Sequence, residues 1–129
     1  MNKIIVEVSI GELLDKISIL EIKQEKIKDT EKLKFINNEH SILKSQLVKN
    51  VKSDSKLEIL FQSLKEINSK LWVIEDDKRQ CEKNKDFGEK FIKLSRDVHF
   101  LNDDRAKIKL EINNYMNSSI KEIKEYTSY

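Results

Sequence analysis

Proline is absent from this 129-residue chain, and glycine occurs only at Gly11 and Gly88. Both residues punctuate short strands and tight turns, so their scarcity argues against a sheet-rich fold and for long uninterrupted helices. A lone cysteine, Cys81, cannot close an internal disulfide and suits a reducing compartment. No apolar stretch approaches the roughly 18 residues that span a bilayer, so membrane insertion is not expected. The run Ile4-Ile5-Val6 is cut by Glu7 and is too short for the apolar core of a secretory signal, which leaves a cytoplasmic location as the expectation. Blocks of like charge are missing too. The 25 basic and 23 acidic residues leave a net charge of +2 and alternate along the chain, so nucleic acid is a poor partner.

The chemistry-bearing motifs are equally thin. Zinc needs three or four converging ligands, and the only histidines, His40 and His99, lie far apart in the sequence. A di-iron bundle needs Glu-x-x-His on two helices, but Asn37 and Arg96 stand three residues before the histidines. A Gly-rich phosphate loop is absent. No metal and no cofactor is expected.

What the chain does have is charge, 37% of its residues, with aliphatic side chains recurring every three or four positions. That is the pattern of an all-α, coiled-coil-like bundle. Ser9 with Glu12 forms a capping box and predicts a first helix over 10–28, with Leu13, Ile17 and Leu20 on its seam. Asp29-Thr30 caps a second helix over 31–50, whose seam includes His40. Ser55 with Glu58 opens a third over 56–83, with Leu57, Leu60, Leu64 and Leu71 facing inward. Asp86 caps a fourth over 87–117. In the N-terminal segment, residues 1–9, positions 3–8 alternate and predict a short strand. Residues 118–129 form a tail, a frayed helical turn or a short strand. Short connections make sequential helices antiparallel neighbours, so the expected architecture is a four-helix bundle of helical hairpins in a single domain.

Three stretches carry a resemblance: Ser9 to Lys23 (SIGELLDKISILEIK), Leu71 to Glu82 (LWVIEDDKRQCE), and Asp86 to Asn113, which contains DFGEKF and RDVHFLNDDRAKIKLEIN. Together they resemble a family of small bacterial proteins catalogued as a domain of unknown function. That resemblance implies no activity, catalytic residue or cofactor. Asn117 stands where the family tends to have glycine, at the expected stop of the fourth helix.

Candidate site residues come from the charged clusters. Glu75, Asp76 and Arg79 lie late in the third helix, and hairpin pairing is expected to bring Glu75 and Asp76 to Arg96. Asn102 and Arg105, with Lys109, lie midway along the fourth, and Asp15 and Lys16 of the first helix could bridge the two groups. Only three arginines occur in a lysine-rich chain, and the rigid guanidinium fork suits bidentate pairing that lysine cannot supply. Arg105 sits between Leu101 and Ile108 on an otherwise apolar seam. It should therefore meet a carboxylate, Asp15, Glu21 or Glu66, with Asn102 completing the site. If that pair is structural, Arg105→Met should be tolerated better than loss of the partner carboxylate. The competing reading is an interhelical ion-pair ladder that sets register. Gly11 in a first turn could hold an anion, but Glu12 would repel it. Cys81 and His40 read as core residues.

The third and fourth helices, about 30 residues each, outreach the first two by roughly 15 Å at helical rise. Their uncovered seam predicts a homodimer. The expected function is a self-associating binding or scaffolding module with a protein partner. The alternative is an enzyme or binding protein for an anionic small molecule, such as a sugar nucleotide, that uses the charged clusters.

Overall fold

Side-chain caps and apolar seams place four helices in the computed structural model, which describes residues 2–129. These are α1 (Ile10–Lys26), α2 (Thr30–Asn50), α3 (Ser55–Lys83) and α4 (Glu89–Tyr115). The all-α reading therefore holds. Ser9 accepts from the Glu12 amide at 3.0 Å and Asp29 from the Lys32 amide at 3.0 Å, so both caps stand as expected. Two starts differ. α3 is capped by Asp54, whose Oδ1 accepts from the Leu57 amide at 2.9 Å, and Ser55 becomes its first residue. α4 begins after Gly88 with no side-chain cap. Asp86 instead accepts from the Gly88 amide at 3.2 Å within the turn, which leaves Phe87 outside the helix.

The two long helices end in the same way. Lys85 and Asn117 adopt left-handed φ angles of 53° and 50°. Just beyond them, the Asp86 amide donates to the Cys81 carbonyl and the Ser118 amide to the Asn113 carbonyl, each at 2.8 Å. This closes the last turn with a left-handed residue where glycine is usual. Asparagine tolerates that conformation through its short polar side chain, so Asn117 stops α4 without a glycine.

No strand forms among the described residues. Positions 3–8 alternate as a strand would, but none of them exchanges a backbone–backbone hydrogen bond with another described segment, so they stay irregular. The tail after α4 is likewise neither helix nor strand.

α1 is the central element, in contact with α2, α3 and α4, while α3 packs on α4. α1 runs antiparallel to α4, since Gly11 meets Asn113 and Asp15 meets Arg105. The core sits at this end of the hairpin, around Leu14, Leu57, Leu60, Leu64 and Ile112. Each such side chain contributes about 1.5–3 kcal/mol when fully buried. α1 has 17 residues against 29 in α3. The α3–α4 hairpin therefore continues past the end of α1 as a two-helix tip, where Cys81 is the buried side chain and Phe87 and Ile92 are exposed. Trp72, beside Leu71 near the root of the tip, is mostly buried.

Candidate functional site

The N-terminus of α1 and the last turns of α4 come together because Gly11 has no side chain. A Cβ there would lie 2.6 Å from the Lys109 carbonyl oxygen and 2.9 Å from Asn113 Oδ1. With hydrogen in that place, the Gly11 amide donates to Asn113 Oδ1 at 2.7 Å and the Ile10 amide to Ser118 Oγ at 3.2 Å. The free N–H groups of the first turn are thereby taken by α4 and the residues after it. Gly11 serves close approach of two helices.

This approach sets Asp15 against Arg105. The guanidinium bonds both carboxylate oxygens, Nε to Oδ1 at 2.9 Å and Nη2 to Oδ2. Asn102, one turn back on α4, accepts from Arg105 Nη1 at 3.4 Å. From α3, Asn68 donates to Asp15 Oδ1 at 2.9 Å and to Ser18 Oγ at 2.8 Å. The Ser18 hydroxyl donates to the Asp15 carbonyl at 2.8 Å. Lys109 reaches Glu12 at 2.6 Å, Asp15 at 3.7 Å and Glu122 of the tail at 3.3 Å. Among the described residues, no buried side-chain polar atom lacks a partner.

Electrostatics follow from this packing. Burial pushes the Asp15 carboxyl up. The bonds from Arg105 and Asn68 and the charges of Arg105 and Lys109 outweigh it and hold the group below the ordinary carboxylate value. The bond to Asp15 raises Arg105 further. Burial lowers Lys109, but Glu12, Asp15 and Glu122 more than restore it. Asp15 is therefore ionised and Arg105 and Lys109 cationic at neutral pH, and three carboxylates, Glu12, Asp15 and Glu122, face these two cations. The network is an interhelical clamp in which each cation is held by carboxylates of the same chain. Among the described residues, no group of three or more His, Cys, Asp or Glu side chains converges as a metal site would need.

The other expected site residues fall elsewhere. Lys16 is exposed and pairs with Glu12 at 3.6 Å. Glu75 and Arg79 pair with each other along α3 at 3.0 Å. Glu75 and Asp76 do not meet Arg96, which lies over the Phe100 ring at 5.8 Å. The register was close, since Ile74 and Asp97 line one groove. Asp76, Arg79 and Arg96 nevertheless point off the shared seam to the exposed outer faces of their helices. α1 thus joins Asp15 to the Asn102–Arg105 group and leaves the late α3 group apart. Glu21, another partner considered for Arg105, instead takes His40 at 3.2 Å and Lys65 at 3.5 Å, tying α1 to α2 and α3.

Sequence reasoning missed Ser18, Asn68 and Asn113 as parts of the clamp. Their only signal is a polar residue beside an apolar seam, which any solvated position also shows. Glu122 and Tyr129 were missed as well. The tail folds back along α4, where Tyr129 bonds Asp103 and packs against His99 and Phe100. Among the described residues, no helix is long and apolar enough to cross a membrane.

No curated protein and no solved structure matches the chain. A family model described as a family of unknown function, DUF6165, matches residues 4–129. With nearly its whole length matched, the chain belongs to that family.

Proposed function

We propose that this chain is a self-associating helical interaction module whose first partner is a second copy of itself. The observation that carries the reading is an apolar groove of about 640 Å³ on the α3–α4 hairpin, walled by Val73, Ile74, Phe100 and Leu101. Val73 and Phe100 lie five residues from Asn68 and Arg105, the side chains that meet Asp15 of α1. Five residues are about 140° around a helix, so the groove opens on the side turned away from α1. Val73 and Phe100 are both exposed there.

A second hairpin fits this face about a two-fold axis parallel to the helices. Such an axis lays α3 of one copy over α4 of the other, antiparallel, and completes a four-helix bundle from two hairpins. The rims are complementary. Lys70 borders the groove on the α3 side and Asp97 on the α4 side, and the two-fold brings each within about one turn of the other in the second copy. Asp97 already holds Lys93 at 2.8 Å, so the added pair would orient the copies more than bind them. The closed ion clamp favours this reading over a small-anion site, because its cations are already neutralised by carboxylates of the same chain.

Sedimentation equilibrium at micromolar concentrations tests the proposal. A dimer is expected, and the double variant Val73→Glu, Phe100→Glu should return it to monomer with its helical circular dichroism unchanged. Sedimentation of the native protein only as the 15.3 kDa chain, or a double variant that dimerises as well as the native protein, would overturn it.

A further inference from the structure

The N-terminal segment, residues 2–8, carries the two most exposed large apolar side chains among the described residues, Ile4 and Ile5, with Val6 next to them in the chain. Ile4, Ile5 and Val6 are 89%, 81% and 69% exposed. Among the described residues, none of positions 3–8 gives or receives a backbone–backbone hydrogen bond. An alternating apolar segment with a free backbone is a template for strand pairing, and this segment is complementary to itself. In antiparallel pairing centred on Ile5, Lys3 stands opposite Glu7 of the second copy, and Glu7 opposite its Lys3. Ile4 and Val6 face each other on the other side of the ribbon. Shifting the centre to Val6 would set Ile5 against Glu7 and pull Ser9 into the ribbon. Ser9 is buried and committed to capping α1, so the Ile5 register is favoured.

We infer that residues 3–7 form an intermolecular antiparallel ribbon with the same residues of a second copy, centred on Ile5. This interface lies at the end of the molecule opposite the hairpin tip. The inference rests on the groove dimer proposed above, because a lone two-stranded ribbon is marginal in water. A two-fold parallel to the hairpin sends both N-termini to the same end, which raises their effective concentration. The spacing also fits. Three interaxial spacings of about 8–10 Å, across the two hairpins, separate the two α1 helices by roughly 24–30 Å. Four extended residues, Ser9 back to Ile5, cover about 13 Å, half of that distance. Glu7, which accepts from Ser119 Oγ at 2.9 Å at an exposed site, is free to take Lys3 of the second copy instead.

The register makes the test sharp. Ile5→Cys places two thiols directly across the axis, whereas Ile4→Cys and Val6→Cys place like residues two positions out of line. Cys81 is buried and does not compete. Under mild oxidation Ile5→Cys should form a disulfide dimer at least about tenfold faster than either neighbour. Charge reversal adds a second readout. Lys3→Glu and Glu7→Lys should each raise the dimer dissociation constant about tenfold through two facing like-charge pairs. An equimolar mixture of the two should regain native affinity as a heterodimer. Equal cross-linking rates at the three positions, or charge variants that associate like the native protein, would overturn the ribbon. The groove reading has its own arm, since only it predicts that Val73→Glu with Phe100→Glu abolishes association.

Discussion

The base and the tip of the α3–α4 hairpin are built from one heptad pattern and end in different states. At the base, α1 lies against both helices. Leu14, Leu64 and Ile112 are excluded from water, and the Asp15–Arg105 clamp closes over them. All the buried residues of α4 fall in its last two turns, Lys109, Ile112 and Asn113. At the tip only two helices meet. The same spacing there leaves Phe91, Leu94 and Val98 partly covered and Phe87 and Ile92 exposed. Two helices can bury a seam but not an apolar face; a third element is needed to exclude water from both sides of it. The base has that element in its own chain, and the tip does not.

Variants at the base should therefore cost far more than variants at the tip, and the largest effect should come from Arg105→Met. Asp15 has 2% of its side chain exposed, against 29% for Arg105. Removing the arginine leaves a carboxylate buried without its main partner, a loss of about 3–5 kcal/mol. Asp15→Asn leaves a guanidinium that can still reach water, and should cost about 2 kcal/mol. These exposures invert the order expected from the sequence, where an apolar replacement of Arg105 was to be the milder change. Urea denaturation of both variants at pH 7 decides it. Equal or reversed losses would mean that the clamp is not what holds the base together.

Acid should open the base next. The folded-state pKa of Asp15 lies below its ordinary value of 3.8, so its contribution is complete above that pH and is lost as pH falls through the lowered value. Stability from this group should be flat between pH 7 and 5 and should decline only below about 4. In Arg105→Met the carboxyl keeps only Asn68 and the more distant Lys109 against its burial, and it protonates at higher pH. The gap between variant and native protein should therefore narrow on acidification. A gap constant from pH 7 to pH 3 would show that Asp15 does not gain from the pair.

Glycine to alanine then measures the two regions with one methyl group each. At Gly11 the methyl would meet the Lys109 backbone at 2.6 Å, and separating the helices should cost about 1–3 kcal/mol. At Gly88, in the turn of the tip, the nearest atom is Asp86 Oδ1 at 3.5 Å and the φ is an ordinary −85°. The lost N-cap preference and the stiffer unfolded chain roughly cancel there, so Gly88→Ala should change stability by less than about 0.5 kcal/mol. Thermal unfolding of the pair at matched concentration checks this smallest effect. A Gly88 variant as damaged as the Gly11 variant would erase the distinction between base and tip.

Much of the architecture could be read from local pattern. Spacing of apolar residues at three and four placed all four helices to within two residues at every end, and Ser9 and Asp29 cap the helices they were expected to cap. Arg105 was legible as a residue in need of a carboxylate because it interrupts an apolar seam, and Asp15 was among the partners named. The starts of α3 and α4 were less legible. Asp54 and Ser55 are both good caps, and the choice between them depends on where Leu57 must point. Lys85 gave no sign of a left-handed turn, because its conformation is imposed by the Asp86 amide closing on Cys81. Asn68, Ser18 and Asn113 look in the sequence like any solvated position. Only the meeting of three helices makes them the inner surface of a clamp.

The sequence by itself determined that this protein is helical, where its helices run, and that one arginine had to be paired. These follow from interactions within a turn or two of the same helix, or from the cost of leaving a charge on an apolar stripe. Tertiary structure alone decided that α1 is the centre, that Gly11 admits α4 to within bonding distance, and that the tail returns across Lys109 and Asp103. It also decided that the polar groups split into a closed clamp at the base and unlinked pairs near the tip. Those outcomes depend on which faces of distant helices come into register. A difference of about 100° per residue is enough to send Arg105 inward and Arg96 out to solvent.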